Sequence, residues 1–325
     1  MRAKDWDAYW RNAGSTAEKK DGGPQDEALE RFWLKFFTQI YPARHTGTRL
    51  LDIACGNGAV VRFARVAAEP VENSGLNIYG LDVSASAIRL MCKRYPGTFG
   101  IAAEAALLPF QNDAFDLVMS QFGVEYAGPD AFNEVARIIK PGGIFAAVLH
   151  LRDGAIYREC TANLEAINGM RRSNLLSSFE GLFRAAQAVQ RGLGGKEMFH
   201  NADKVFAGAV AASENVLQHW GKGAADGMLF RIYSDIAHMY RRFRNYDPDE
   251  VFNWISLMSN DLDTFAGRMS SMLKAALDAP AVDRLIAQLT SGGFTVQTHE
   301  ILHMGRLSVP AAWTVVAQKV TSDKL

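Results

Sequence analysis

At 325 residues and 35.7 kDa, the chain has room for two domains, or for one core carrying a large insertion, at roughly 100–200 residues per domain. A hydrophobic share of 48% against a charged share of 22% supplies a buried core and excludes global disorder. The 35 basic and 35 acidic side chains cancel, with no excess hidden in either half, so no nucleic acid is expected as an obligate partner.

The start, MRAKDWDAYW, has no apolar h-region, so no secretory signal is expected. No run approaches the roughly 20 apolar residues that span a bilayer. The expectation is a soluble, cytoplasmic protein with no membrane partner. Residues 1–45 read as helical pieces around a polar break at Gly22-Gly23-Pro24. From Asp26 to Tyr41, Leu29, Phe32, Trp33, Phe36, Phe37 and Ile40 fall at helical spacing and predict an amphipathic helix.

A different rhythm follows. Arg49–Ala54 is a short apolar run ending in glycines, and Val60–Ala68 is helical. Asn77–Val83 is strand-like, followed by a helix over Ala85–Tyr95. Gly100–Ala103 and Phe115–Ser120 are short strands, Ala131–Ile139 is a helix, and Gly143–Leu149 is a fifth strand after a turn at Lys140-Pro141-Gly142-Gly143. Strands alternating with helices predict βαβ units and a parallel sheet.

From about Leu151 to Pro280 the strands stop. Leu175, Phe179, Leu182, Phe183, Ala186 and Val189 are helically spaced, as are Met228, Ile232, Ile236 and Met239, and again Phe252, Ile255, Met258, Leu262 and Phe265. The α/β rhythm then returns with a helix over Ala281–Thr290, closed by Gly292-Gly293, and strands over Phe294–Leu302 and Trp313–Lys319. A core interrupted by a helical cap fits this order better than two tandem domains. The division expected is an N-terminal helical lid (1–45), a nucleotide-type core (46–150), a helical cap (151–280) and a closing helix with strands (281–325).

The informative stretch is Leu50-Leu51-Asp52-Ile53-Ala54-Cys55-Gly56-Asn57-Gly58, a strand running into a glycine turn and then a helix. Gly56 and Gly58 permit a tight turn and close backbone approach to a ligand, and the next helix offers free N–H groups to an anion. Asp52 can accept a hydrogen bond from a ligand ammonium. Asp82, ending the second strand, is placed to bind the two hydroxyls of a ribose. A nicotinamide dinucleotide would want G-x-G-x-x-G/A, but Val61 stands at the third position and Asp52 would face pyrophosphate with the wrong sign. S-adenosylmethionine wants the acid before the glycines and has no phosphate to cradle.

With these residues the sequence resembles the class I S-adenosylmethionine-dependent methyltransferases, particularly small-molecule enzymes of the ubiquinone/menaquinone-methyltransferase type. The resemblance covers roughly 45–150 and 281–320. It runs through LDIACGNG (Leu51–Gly58), YGLDVS (Tyr79–Ser84), AEAALLPFQNDAFDLV (Ala103–Val118), SQFGVEY (Ser120–Tyr126), KPGG (Lys140–Gly143) and GGF (Gly292–Phe294). It implies a Rossmann-like, doubly wound α/β fold with a seven-stranded sheet, the last strand antiparallel. It also implies that Asp52 and the backbone of Ala54, Gly56 and Gly58 hold the methionine part of S-adenosylmethionine. Asp82 would bind the ribose, Val83 would lie against the adenine, and Glu104 and Ala105 would lie near the adenine amino group. Gln121 and Phe122 would border the sulfonium. Ala54 replaces the family's usual first glycine, Glu104 its usual Asp, and the loop Glu69–Asn77 is longer than usual.

Aligning nucleophile, methyl and sulfur supplies much of the rate of methyl transfer, and a base is needed only where the nucleophile arrives protonated. His150, directly after the fifth strand, leads the candidates, with Glu125 and Tyr126. Tyr9 and Trp10 are placed to fold over the pocket. Cys55 reads as a packing residue, since no neighbouring His would activate it. Cys55, Cys92 and Cys160 are too scattered for a disulfide framework and point to a reducing compartment. His200, His219, His238, His299 and His303 have no metal-ligand spacing, so no metal is expected. Tyr240–Tyr246 reads as a helix with a solvated arginine face, and Met258, Met269 and Met272 as adaptable packing. The cap is expected to enclose a small-molecule acceptor, apolar or aromatic, and exclude water; a homodimer through the cap is its second use. Methyl transfer, with a slight preference for oxygen, is the expected reaction. A nicotinamide-dependent oxidoreductase and a non-catalytic S-adenosylmethionine-binding partner protein are the rivals.

Overall fold

A computed structural model describes residues 3–16, 27–40, 47–69 and 75–321; the break at 22–24 and residues 70–74 of the long loop lie outside them. In chain order the elements are α1 (Ala3–Thr16), α2 (Glu27–Ile40), β1 (Arg49–Ile53), α3 (Ala59–Ala68), β2 (Asn77–Asp82), α4 (Ala85–Arg94), β3 (Phe99–Ala102), β4 (Phe115–Gln121), α5 (Pro129–Ile138), β5 (Ile139–His150), α6 (Ala155–Arg172), α7 (Leu175–Gln190), α8 (Lys196–Trp220), α9 (Met228–Arg241), α10 (Pro248–Ala275), α11 (Ala279–Ser291), β6 (Phe294–Met304) and β7 (Val309–Lys319). They form two compact units: Met1–Arg158 with Ser271–Leu325, and the all-helical Glu159–Ser270. The helical unit is narrower at both ends than the expected 151–280. Leu277 donates its N–H to the His150 carbonyl and accepts from Arg152 N–H, while Trp313 Nε1–H also reaches the Leu277 carbonyl. These bonds tie the flanking residues into the sheet unit.

The sheet has seven strands in the order β3-β2-β1-β4-β5-β7-β6. β1 to β5 pair in parallel, and β7 runs antiparallel to both neighbours. This is the doubly wound, Rossmann-like α/β architecture expected. Parallel strands covered on both faces read as unbroken apolar runs, and Leu50, Leu51 and Ile53 of β1 are fully buried. Leu50, Met119, Ala146 and Val148 enter one cluster with α2 and α3; Leu51, Val118, Phe145 and Ala147 enter another with α5 and α11. Trp33 and Phe37 of α2 belong to the first cluster. Within the expected lid of 1–45, α2 is therefore a wall of the core.

The turn expected at Lys140–Gly143 is a bulge inside β5. Ile139 already pairs with Phe115, and the register resumes at Leu117 with Ile144. Lys140 Nζ bridges both Asp116 oxygens at 3.0 and 2.9 Å, Gly142 takes φ +76°, and a Cβ on Gly143 would sit 2.8 Å from the Lys140 carbonyl. The glycines bend the chain while pairing with β4 continues.

In the helical unit, Leu175, Phe179, Leu182 and Phe183 bury one face of α7, with Phe179 against Phe206 and Phe183 against Phe243. Met228, Ile232, Ile236 and Met239 do the same for α9. The segment Tyr240–Tyr246 is not one helix: α9 stops at Arg241 and a single 3-10 turn follows at Phe243–Asn245. Arg241, Arg242 and Arg244 are exposed, as expected, while Tyr240 Oη donates to Asp203. Among the described residues, no helix is long and apolar enough to cross a membrane and no three His, Cys, Asp or Glu side chains gather as a metal site.

Candidate active site

The turn from β1 into α3 takes the left-handed region at Ala54 (φ +55°), Gly56 (+53°) and Gly58 (+90°). A Cβ at Gly58 would meet the Tyr95 ring at 2.8 Å, and one at Gly56 would meet Trp10 Cζ2 at 2.7 Å. Glycine is thus required by conformation and by space. Gly58 caps α3 without a side-chain hydrogen bond. That leaves the first amides of the helix facing the turn.

Two carboxylates converge there. Asp52, one residue from the end of β1, is 1% exposed, and neither of its oxygens has a hydrogen-bond partner. Burial, and then the neighbouring Asp82, hold its carboxyl well above the usual range. Asp82 accepts from the Gly56 amide at 3.0 Å and the Ser84 amide at 2.8 Å; burial outweighs these bonds and raises its pKa too. Cys55 is buried, and burial followed by Asp52 pushes its thiol up. It cannot be a thiolate nucleophile at neutral pH, in keeping with a packing role.

The end of β4 faces this turn. Ser120 Oγ donates to the Ile53 carbonyl at 2.8 Å and accepts from Val124 N–H at 2.9 Å. Gln121 Oε1 accepts from Trp33 Nε1–H at 2.6 Å. Phe122 is left-handed at φ +55° and donates its N–H to the Val148 carbonyl. Two non-glycine residues in this region on adjacent strand ends store backbone strain, which tends to gather at functional sites. A Cβ on Gly123 would lie 2.2 Å from Ala54 Cβ, so the alanine at 54 demands the glycine at 123. Gly123→Ala is expected to destabilise the protein by about 1–3 kcal/mol, and Ala54→Gly in the same chain to restore most of it. Denaturant midpoints of the double-mutant cycle measure this; strictly additive losses would break the link.

Past β4, a 3-10 turn at Val124–Ala127 carries Glu125 to the end of β5. Glu125 Oε1 lies 2.7 Å from His150 Nδ1 and 3.0 Å from the His150 amide nitrogen. The two side chains are 0% and 4% exposed, and Glu125 Oε2 has no hydrogen-bond partner. In a neutral imidazole, a carboxylate accepting at Nδ1 selects the tautomer whose lone pair is on Nε2. Phe122 and Tyr126 lie against the imidazole, with centroids 4.6 and 5.5 Å away. Trp6 of α1 stands edge-on to Tyr126 at 5.8 Å.

The structure therefore gathers Asp52, Ala54, Gly56, Gly58 and Asp82 at one turn, with Gln121 and Phe122 on the neighbouring strand. Phe122 joins this group to His150, Glu125 and Tyr126. Val83 is half-buried beside Asp82; Glu104 is exposed and Ala105 half-buried just past β3, linked through the Ala103 amide to the Asp82 carbonyl. Trp33, Trp6 and Asp7 also belong to the site, and no motif marks them as such. Trp33 was legible as a helix-face residue, but neither its bond to Gln121 nor the reach of Trp6 and Asp7 left a local signal.

Residues 51–147 match the family model described as a methyltransferase domain. The core is a class I S-adenosylmethionine-dependent methyltransferase domain. The chain is similar to a demethylmenaquinone methyltransferase of Renibacterium salmoninarum, 34% identical over 99 residues, covering 30% of this chain and 39% of that protein. It is also similar to a malonyl-[acyl-carrier protein] O-methyltransferase of Enterobacter lignolyticus, 27% identical over 213 residues, covering 64% of this chain and 79% of that one. A solved S-adenosylmethionine-dependent methyltransferase from Methanosarcina mazei aligns over 87% of this chain and 98% of its own, at 15% identity and a TM-score of 0.39. The chain thus spans less than half the length of the first of these relatives.

The residues present in the methyltransferase domain fit its cofactor. S-adenosylmethionine carries an ammonium, and the buried Asp52 carboxylate has no other partner. The cofactor carries no phosphate, and the buried Asp52 beside the turn would face a pyrophosphate with the wrong sign.

Proposed function

We propose that this chain transfers a methyl group to a hydroxyl oxygen of a small organic acceptor, apolar or aromatic in character. The observation that carries the reading is the buried Glu125–His150 pair at the ends of β4 and β5, where an open α/β sheet binds its ligands. S-adenosylmethionine supplies the electrophilic methyl and leaves as S-adenosylhomocysteine. Asp52 pairs with its ammonium, and the backbone of Ala54, Gly56 and Gly58 lines its methionine part. Asp82 takes the ribose hydroxyls, Val83, Glu104 and Ala105 bound the adenine, and Gln121 and Phe122 border the sulfur. His150 takes the acceptor proton at Nε2, and Glu125 holds the ring by its Nδ1–H and steadies the imidazolium that forms. Tyr126 bounds the acceptor. The similarity to a demethylmenaquinone methyltransferase and to a malonyl-[acyl-carrier protein] O-methyltransferase supports an acceptor that is a small molecule or a small group on a carrier.

Calorimetric titration of the purified protein with S-adenosylhomocysteine, with NADH as control, tests the cofactor reading. Micromolar binding of the first and none of the second is expected, followed by methyl incorporation into hydroxylated acceptors from a labelled donor. Binding of NADH alone would make the oxidoreductase the leading reading. Cofactor binding without transfer to any hydroxyl, amine or carbon acceptor would leave the non-catalytic partner reading.

A further inference from the structure

Asp7 of α1 reaches across to the start of α4. Its Oδ1 accepts from Ser84 Oγ–H at 2.8 Å and from the Ser86 amide at 3.1 Å, while its Oδ2 accepts from Arg11 on its own helix at 2.6 Å. Ser84 is fully buried and itself caps α4 through the Ala87 amide. A carboxylate at this helix start satisfies a free amide and meets the positive end of the dipole. The Arg11, Ser84 and Ser86 hydrogen bonds hold the Asp7 carboxyl well below the usual range, against the opposing effect of burial, so it stays ionised at working pH.

The anchor point matters because Ser84 also donates its amide to Asp82, the acid assigned to the ribose. One turn of helix beyond Asp7, Trp10 is 7% exposed and stands directly over Gly56. One residue before it, Trp6 meets Tyr126 on the acceptor side. A 14-residue helix, Ala3–Thr16, is thus pinned by one carboxylate between two halves of the site.

We propose that Asp7 is a positioning residue: by bonding the start of α4 it latches α1 shut, holding Trp10 over the glycine turn so that bound cofactor is retained. The proposal rests on the assignment of that turn to S-adenosylmethionine. Latched, α1 leaves the cofactor no exit past Trp10, so release waits for the Ser84 and Ser86 bonds to break.

The test is the release of tritiated S-adenosylhomocysteine chased with unlabelled ligand, together with hydrogen exchange of the α1 amides with and without ligand. Asp7→Ala is expected to speed release roughly 5- to 10-fold, the size of a lost helix-cap interaction, and to abolish the ligand-dependent protection of Ala3–Thr16. Asp7→Asn keeps an acceptor oxygen and is expected to stay within about threefold of wild type. Arg11→Ala removes only an exposed ion pair and is expected to change release by less than twofold. If wild type binds no S-adenosylhomocysteine, the cofactor assignment fails and the latch with it. If wild type binds and Asp7→Ala releases at the wild-type rate, the latch alone is refuted. Should Asp7→Ala not fold, Trp10→Leu decides: accelerated release supports the latch, and wild-type release overturns it.

Discussion

Asp52→Asn is expected to weaken S-adenosylhomocysteine binding by roughly 100-fold, about 3 kcal/mol, while making the ligand-free protein more stable. The two effects have one cause. Asp52 is 1% exposed with no hydrogen-bond partner, and Asp82, its neighbour in the turn, adds like-charge repulsion. Ligand-free, the protein bears the desolvation cost of that carboxylate and gains nothing in return. A ligand ammonium repays it, because a close opposite charge in a desolvated site is worth far more than one at the surface. Asparagine keeps the shape and removes the charge, so the repayment is lost and the cost falls to that of a buried neutral amide. The pH dependence follows in sign. A carboxyl whose folded-state pKa is raised binds its proton more tightly in the native state than in the unfolded chain. Between the ordinary value of 3.8 and that raised value, stability therefore falls as pH rises, and ligand affinity climbs as Asp52 ionises. Asp52→Asn should flatten both slopes. Unchanged affinity, measured calorimetrically, would remove Asp52 from the cofactor site.

The reach of local sequence signals explains which of these features could be read in advance. The run Leu50–Ile53 into Gly56 and Gly58 announces a buried strand and a tight turn, because apolar continuity and glycine placement are both local properties. That rhythm predicts βαβ units and a parallel sheet; the seven strands with the last antiparallel follow from the resemblance, and the strand order is seen only in the fold. The bulge at Lys140–Gly143 shows where local chemistry misleads: Pro141 and Gly142 do bend the chain, but pairing with β4 and the Lys140–Asp116 ion pair keep it in the sheet. The side-chain pairs that complete the site lie beyond local reach. Glu125 and His150 are 25 residues apart, Asp7 and Ser84 are 77 apart, and Trp33 and Gln121 are 88 apart. Glu125 and His150 could be singled out individually by their places near strand ends, and Gln121 through the resemblance. Their partners become visible only when the fold brings the ends together.

His150→Ala is expected to cut methyl transfer to a hydroxyl acceptor by roughly 10²–10⁴-fold, the usual contribution of a positioned base, while S-adenosylhomocysteine affinity stays within about twofold. This split separates a base from a packing residue, since a collapse of the β5 end would also disturb Phe122 beside the imidazole and with it the cofactor side. Glu125 predicts a graded series. In Glu125→Gln the side-chain oxygen is still pinned by the His150 amide, which lies 3.0 Å from Oε1 in the native protein; Nδ1 keeps its proton, and only the charge that steadies the imidazolium is lost. Glu125→Ala in addition leaves that amide buried and unpaired, a cost of about 1–3 kcal/mol in stability. Rate should therefore fall modestly in the first variant, while rate and stability fall together in the second. Acceptor acidity supplies the decisive comparison, because an acceptor that arrives ionised needs no base. Across analogues of increasingly acidic hydroxyl, the deficit of His150→Ala should shrink toward wild type. A deficit that stays constant across the series would show that His150 shapes the site without moving a proton, and full activity of His150→Ala would exclude it from both roles.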